Sequence, residues 1–261
     1  MLEELKCSVF NKYFWAAFLV MLSCFFGYSI PNWVFSAEWG MYREGALQLS
    51  IGGIFFGGSM LLLPFCASIP YAVSQVDEIR TGNLRYRAFY SSVRKYSVKK
   101  TVISMLSASL ACGLAFFIHA LFWNFASYPY DLEMYPYQEV PFAADCIYYE
   151  WARAKYAWPI YIWITFGIGY CAAIWSVTAL AISVWITDKV LAIVVPVCIY
   201  YIWSCRITNH LFGIDLPHPA TLYNDALTST EVIQSIKAYS VLLLVSFIVY
   251  YIGLKKRCRN A

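Results

Sequence analysis

Six long runs of apolar residues constrain this chain more than any other feature. They cover approximately Tyr13–Ile30, Leu49–Ser74, Thr101–Trp123, Pro159–Ile186, Val190–Cys205 and Ala238–Leu254. A helix needs roughly 20 mostly apolar residues to cross the hydrocarbon of a bilayer. The chain is 61% hydrophobic and 13% charged, whereas soluble domains are about 45–50% apolar and about 25% charged. The sequence therefore predicts an all-α integral membrane protein in which residues 1–261 form a single transmembrane domain.

The fourth and fifth runs are separated only by the polar sequence Thr187-Asp188-Lys189. A single long helix through both runs would place two charged residues in lipid, at a cost of about 2.5–3.5 kcal/mol each. A helical hairpin avoids that cost, so we expect a tight turn here. The fifth run is short and contains Pro196, which neighbouring helices can accommodate in a membrane.

The distribution of Lys and Arg predicts which side of the membrane each loop faces. Six spans place both termini on the same side, and fourteen of the nineteen Lys and Arg residues then lie on that side. Positively charged loops remain in the cytoplasm. We therefore expect a multi-pass protein of the cell (cytoplasmic) membrane, with both termini cytoplasmic.

The segment Val76–Lys100, between the second and third runs, holds seven Lys and Arg residues. It also begins with two acidic residues and interleaves its cations with Tyr and Phe, which a simple topological anchor does not require. Acidic residues at a helix start and basic residues further along complement a helix dipole. We expect short helices here with a charged and aromatic surface, suited to docking a protein or lipid headgroups. The alternative is that the segment only fixes the topology.

Within this segment Glu78 is followed by Gly82, the run NLRYRAFYSS, and then Arg94, Tyr96 and Lys100. This order resembles the cytoplasmic loop of ABC-2 type transporter permeases, which contains the coupling helix and docks on a separate ATP-binding subunit. The resemblance implies that the docking contacts come from seven charged residues of the segment and its glycine, namely Asp77, Glu78, Arg80, Gly82, Arg85, Arg87, Arg94 and Lys100.

The resemblance extends to the architecture of the whole chain. It implies a six-transmembrane-helix bundle of the ABC-2 (type V exporter-like) architecture with an N-terminal amphipathic helix. Leu2, Leu5 and Val9 share one face of that helix, as an interfacial helix requires. The family resemblance further implies a permease for export of a peptide, antibiotic or lipid, working as a homodimer or as a heterodimer with a related permease. The long external loop, residues 124–158, departs from many family members and leaves the substrate open.

Two features inside the apolar runs suggest close helix packing. Gly53 and Gly57 form a GxxxG pattern, and small residues let helix backbones approach closely in lipid. The partner helix can belong to the same chain or to a second protomer. His119 is the single His within a predicted span, and we expect it to hydrogen-bond a neighbouring helix or interfacial water.

Several sequence patterns are absent, and this narrows the function. There is no GxxxxGK[ST] nucleotide-binding loop, no paired Glu within a span, and no His and Cys spacing suited to zinc. We therefore expect no catalytic, cofactor or metal site, and ATP hydrolysis in a separate chain. We expect the lipid bilayer to surround the chain. We do not expect nucleic acid to be a partner, because the cations flank apolar runs. The alternatives are a membrane scaffold or assembly protein without transport activity, and an intramembrane enzyme.

Overall fold

Helices make up almost all of the protein that its computed structural model describes. The described residues are 11–38, 45–55, 59–83, 92–127, 146–153, 157–205, 218–219, 222 and 228–259. They contain eight α-helices and no strand: α1 Lys12–Glu38, α2 Ala46–Phe55, α3 Ser59–Arg80, α4 Val93–Ala126, α5 Tyr149–Arg153, α6 Ala157–Trp185, α7 Lys189–Ser204 and α8 Ser229–Arg259. The predicted all-α fold class is confirmed.

Four of these helices are long and apolar enough to cross a membrane. They are α1 over Lys12–Val34, and α4, α6 and α8 over their full lengths. They correspond to the first, third, fourth and sixth predicted spans. The structure therefore supports a membrane protein with four candidate spanning helices among the described residues.

The other two predicted spans do not correspond to any of these four helices. The second, 49–74, corresponds to α2 and α3, on either side of residues 56–58, which lie outside the described residues. The fifth corresponds to α7, which has 16 residues and is about 24 Å long at 1.5 Å per residue. That length is below the roughly 30 Å of the hydrocarbon. The predicted N-terminal amphipathic helix also lies outside the described residues.

Helix α6 is the centre of the bundle, and α8 lies at its edge. In the most apolar stretch of each helix, 83% of the residues are buried in α6 and 22% in α8. Helix α6 packs against α3, α4, α7 and α8. The exposed apolar side chains of α8 are available to lipid, among them Val241, Leu244, Val245, Ile248, Val249 and Ile252.

Small residues allow α4 and α6 to pack closely. A Cβ atom added at Gly169 of α6 would lie 2.6 Å from the Ser109 Oγ of α4. A Cβ atom added at Gly113 would lie 3.3 Å from the carbonyl oxygen of Thr165. Larger side chains at these positions would push the two backbones apart, so the glycines set the distance between α4 and α6.

Consecutive spans run in opposite directions, so α1 and α4, which correspond to the first and third predicted spans, are parallel. Aromatic pairs follow the same order along both helices: Phe25 lies 5.7 Å from Phe116 between ring centroids, and Trp33 lies 6.0 Å from Trp123. The start of α4 lies beside the end of α3, the turn from α6 to α7 and the end of α8. We call this part of the molecule the charged end and define it as residues 77–83, 92–100, 185–189 and 254–259.

Candidate functional site

Three ion pairs at the charged end join α3 to α4 and to the α6–α7 turn. The Lys100 Nζ lies 2.5 Å from the Glu78 Oε1, which links α3 to α4. The Lys189 Nζ lies 2.6 Å from the Asp77 Oδ1, and the Arg80 Nη2 lies 4.0 Å from the Asp188 Oδ2. Four residues of the predicted docking segment, Asp77, Glu78, Arg80 and Lys100, therefore belong to these ion pairs.

The ion pair between Glu78 and Lys100 is buried. The side chains of Glu78 and Lys100 are only 14% and 7% exposed. The hydroxyl of Tyr96 donates to the Glu78 Oε2 at 2.6 Å, and the Lys100 Nζ lies 4.8 Å from the centre of the Tyr71 ring. Burying two charges is costly unless further hydrogen bonds satisfy them, and the Tyr96 hydroxyl supplies one. The pair therefore fastens the end of α3 to the start of α4.

The remaining ion pairs lie at the surface of the charged end. The Arg80 Nε donates to the carbonyl oxygen of Thr187 at 2.8 Å. The side chains of Arg80 and Asp188 are each 51% exposed, and both side chains of the Asp77–Lys189 pair are also partly exposed. Exposed pairs of this kind stabilise a fold weakly. Their charges are instead accessible to a partner.

The α6–α7 turn has its shape because Asp188 caps α7. The Asp188 Oδ1 accepts hydrogen bonds from the backbone N–H groups of Val190, at 2.9 Å, and Leu191, at 3.0 Å. The hydrogen bond from Leu191, with smaller effects of Val190 and the nearby Arg80, holds the pKa of Asp188 below its usual value against the opposing effect of desolvation. The turn expected from the polar sequence between the fourth and fifth runs is present at residues 186–188.

Gly82 follows the end of α3 in a left-handed backbone conformation, with φ of 73°. Its N–H donates to the carbonyl oxygen of Ile79, and the N–H of Thr81 donates to that of Asp77. Glycine adopts this conformation without the steric penalty of a Cβ atom and commonly ends helices for that reason. Gly82 therefore ends α3 at the charged end.

The structure brings together some of the predicted docking residues and separates others. Asp77, Glu78, Arg80 and Lys100 belong to the ion pairs, whereas Arg94 is exposed on the first turn of α4. Predicted residues that lie outside the described part of the chain are Arg85, Arg87 and Gly57.

Sequence reasoning did not include several residues that the structure places at the charged end. Asp188 and Lys189 pair with α3, and Tyr96 hydrogen-bonds Glu78. Arg257 donates to the carbonyl oxygen of Val184 and so ties α8 to α6. Asp188 carried a recognisable signal, because Asp before an apolar helix is a common N-cap. The contacts of Arg257 depend on helix packing and left no signal in the sequence.

A second polar cluster lies in the opposite half of the bundle, around His119. Its Nε2 lies 2.9 Å from the Ser29 Oγ of α1, and the Trp123 Nε1 donates to the same Ser29 oxygen at 2.9 Å. The expected hydrogen bond to a neighbouring helix is therefore present. A Cβ atom added at Gly53 would lie 3.0 Å from both the His119 Cε1 and the Phe25 carbonyl oxygen. Gly53 thus lets α2 pack tightly against α1 and α4.

Comparisons with known proteins found no similar protein. A scan against protein-family models gives no match, and searches among curated proteins and solved structures give none either. The charged end is the candidate functional site because it combines accessible charges with a buried ion pair between two helices.

Proposed function

We propose that this chain is the membrane-spanning permease subunit of an ATP-binding cassette exporter. In this proposal, separate ATP-binding subunits dock on the charged end and supply the energy for transport. The observation that carries the proposal is the connection between accessible charges at Asp77, Arg80, Asp188 and Lys189 and the buried Glu78–Lys100 pair.

A docking surface can drive transport only if force applied to it reaches the membrane helices. The exposed pairs hold the end of α3 against the α6–α7 turn. One residue beyond Asp77, the buried pair of Glu78 and Lys100 fastens α3 to α4. Displacement of the charged end by a partner would therefore move α3, α4 and α6 together. Such a movement of packed helices is one means of alternating access.

The proposal also includes the architecture and orientation implied by the sequence. The six apolar runs form an ABC-2 bundle in the cell membrane, and a second copy or a related permease completes the pathway. The charged end and both termini face the cytosol, where positively charged loops remain. The cargo is a peptide, antibiotic or lipid.

Purification of the tagged chain from its native membranes in mild detergent tests the proposal. We expect an ATP-hydrolysing chain with a nucleotide-binding loop to co-purify, with Arg80→Glu reducing its recovery by about tenfold or more. Tenfold corresponds to about 1.4 kcal/mol of binding free energy. Arg80→Lys retains the charge and should retain most of the partner.

Lys237→Glu is the matched control, because Lys237 is an exposed cation near the start of α8, away from the charged end. This variant should keep full recovery of the ATPase. Thermal unfolding of each variant separates loss of docking from loss of folding. If the unmodified chain brings down no nucleotidase, the permease proposal fails and a scaffold without transport activity becomes the better account.

A further inference from the structure

The charged end carries exposed cations that its carboxylates do not neutralise. Its three carboxylates, Asp77, Glu78 and Asp188, are paired with Lys189, Lys100 and Arg80. Five other cations of the charged end are exposed and have no carboxylate of the described residues at ion-pair distance. They form the basic patch: Arg94 and Lys95 of α4, and Lys255, Lys256 and Arg259 of α8.

The two halves of the basic patch lie on neighbouring helix ends. Val93, beside Arg94, and Cys258, beside Arg259, pack against the same buried apolar cluster, which includes Tyr96, Tyr250 and Leu254. The start of α4 and the end of α8 therefore meet at that cluster. Their cations concentrate positive charge at one rim of the bundle.

Favourable interaction with the helix dipole accounts for the cations of the basic patch on α8 but not for those on α4. Cations in the last turn of α8 interact favourably with the negative end of the helix dipole. Arg94 and Lys95 lie in the first turn of α4, which contains no acidic residue, and cations there are repelled by the positive end of the dipole. An anion from outside the chain would offset this repulsion.

Exposed apolar side chains continue from the basic patch along both helices. On α4, Val98 lies one turn beyond Arg94 and is 45% exposed, and Leu106 and Leu110 are exposed further along. On α8, Ile248 and Ile252 are exposed and lead directly to the basic turn. Lys256 also lies over the Trp185 ring, with its Nζ 5.4 Å from the ring centre, and Trp is enriched where headgroups meet hydrocarbon.

This combination of chemistry matches a lipid better than a protein. A phospholipid has an anionic headgroup joined to long acyl chains, and here a row of cations adjoins exposed apolar helix surface. A soluble acidic protein would complement the cations alone, because the apolar faces belong to candidate membrane spans.

We propose that the basic patch binds the phosphate headgroups of anionic membrane lipids, whose acyl chains lie along the exposed faces of α4 and α8. The five residues of the basic patch are distinct from the exposed charges at Arg80 and Asp188 on which the docking proposal rests. Basic residues beside a membrane strengthen binding to anionic lipid by about fivefold each.

The test uses the purified full-length chain, without nucleotide or any ATPase, so its result is independent of the proposed function. The chain is incubated in mild detergent with equal parts phosphatidylglycerol and phosphatidylcholine, and the lipid retained after size exclusion is quantified. We expect phosphatidylglycerol to be enriched. Arg94→Gln with Lys95→Gln should lower that enrichment by about tenfold or more, and high salt should lower it similarly.

Lys237→Gln is the control, because it removes an exposed cation of α8 outside the basic patch, and it should leave the enrichment unchanged. Equal unfolding temperatures of the double variant and the unmodified chain in phosphatidylcholine alone show that the comparison reports binding. If the two forms differ there, neutralising Lys255 and Arg259 instead should give the same loss.

Three results would overturn the proposal. The first is equal retention of the two lipids by the unmodified chain, and the second is full enrichment in both sets of patch variants. The third is displacement of phosphatidylglycerol by millimolar inorganic phosphate, which would identify a site for free phosphate. If the patch variants keep their lipid but lose a co-purified ATP-binding subunit, the basic patch is a protein-docking surface and the lipid proposal is wrong.

Discussion

Lys100 lies two turns inside α4, and its burial determines what a substitution there would do. Its ammonium group faces the Glu78 carboxylate at 2.5 Å, and both side chains are largely hidden from solvent. Removing one partner of a buried pair leaves the other charge uncompensated, which costs about 3–5 kcal/mol. The pair therefore matters more to the stability of the α3–α4 contact than the exposed pairs of Arg80 and Lys189 do.

A double-mutant cycle measures this contribution. We expect Lys100→Met alone to lower the free energy of unfolding by about 3–5 kcal/mol. Glu78→Gln should restore part of that loss when it is added to Lys100→Met, because the amide still offers an oxygen to the Tyr96 hydroxyl. Unfolding in detergent provides the measurement. Additive losses in the double variant would show that the two residues do not form a coupled pair.

Asp188 gives a prediction that depends on pH. Its pKa is lowered in the folded chain, first by the N–H groups of α7. A group with a depressed pKa stabilises the fold at pH above its unfolded value and loses that contribution as pH falls through the folded value. Asp188→Ala should lower the unfolding temperature at neutral pH, whereas Asp188→Asn retains a cap and should lower it less.

Repeating the melts down a pH series separates the charge of Asp188 from its capping geometry. The advantage of the unmodified chain over Asp188→Asn should shrink as pH falls through the depressed pKa. An advantage that persists unchanged at acidic pH would mean that the carboxylate charge does not stabilise this turn.

At the scale of single residues, sequence reasoning singled out the segment that contains Glu78 and Lys100 but did not predict its ion pairs. Glu78 and Lys100 flank the same loop, so their approach was accessible from a prediction that this loop joins two adjacent spans. Asp77 and Lys189 are far apart in the sequence, and their contact depends on how α3 packs against the α6–α7 turn. No local pattern predicts such a pairing.

At the scale of helices, the contact of α2 with α1 and α4 depends on the absence of a side chain at Gly53. A Cβ atom there would lie 3.0 Å from the Phe25 carbonyl oxygen, which is backbone and cannot move aside alone. We expect Gly53→Ala to destabilise the bundle by about 1–3 kcal/mol, the usual cost of overpacking. Thermal unfolding would report the loss of stability.

Gly27→Ala is the control for this prediction. A Cβ atom at Gly27 meets nothing within 4 Å, and Ala is favoured over Gly in a helix by about 1 kcal/mol. This variant should therefore be as stable as the unmodified chain or more stable. A stable Gly53→Ala variant would show that α2 is not held against α1 and α4 in the way described.

Helix positions were predictable from the apolar runs, but helix lengths were not. The third run was expected to begin at Thr101, whereas α4 begins at Val93, and α8 continues past Leu254 to Arg259. Backbone hydrogen bonding does not stop where the hydrocarbon ends, so polar turns extend these helices. The central place of α6 was also not predictable, because α6 and α8 are both apolar and differ in what packs around them.

At the scale of the whole molecule, alternating helix directions bring together the end of α3, the start of α4, the α6–α7 turn and the end of α8. The positive-inside rule predicts that this end is cytosolic. The structure supplies the internal contacts that connect it to the bundle, while its orientation and partner remain proposals. They depend on forces outside the chain, namely the membrane and a second protein.

Site-specific photo-crosslinking in intact cells tests the central proposal most directly. A photoreactive residue replaces Asn83, which is exposed just beyond the end of α3 at the charged end. In a control it replaces Ser229, which is exposed at the start of α8 in the opposite half of the molecule. We expect an adduct between position 83 and a cytosolic nucleotide-binding protein, and no such adduct from position 229. If position 83 gives no adduct, or if position 229 gives it instead, no ATP-binding subunit docks on the charged end.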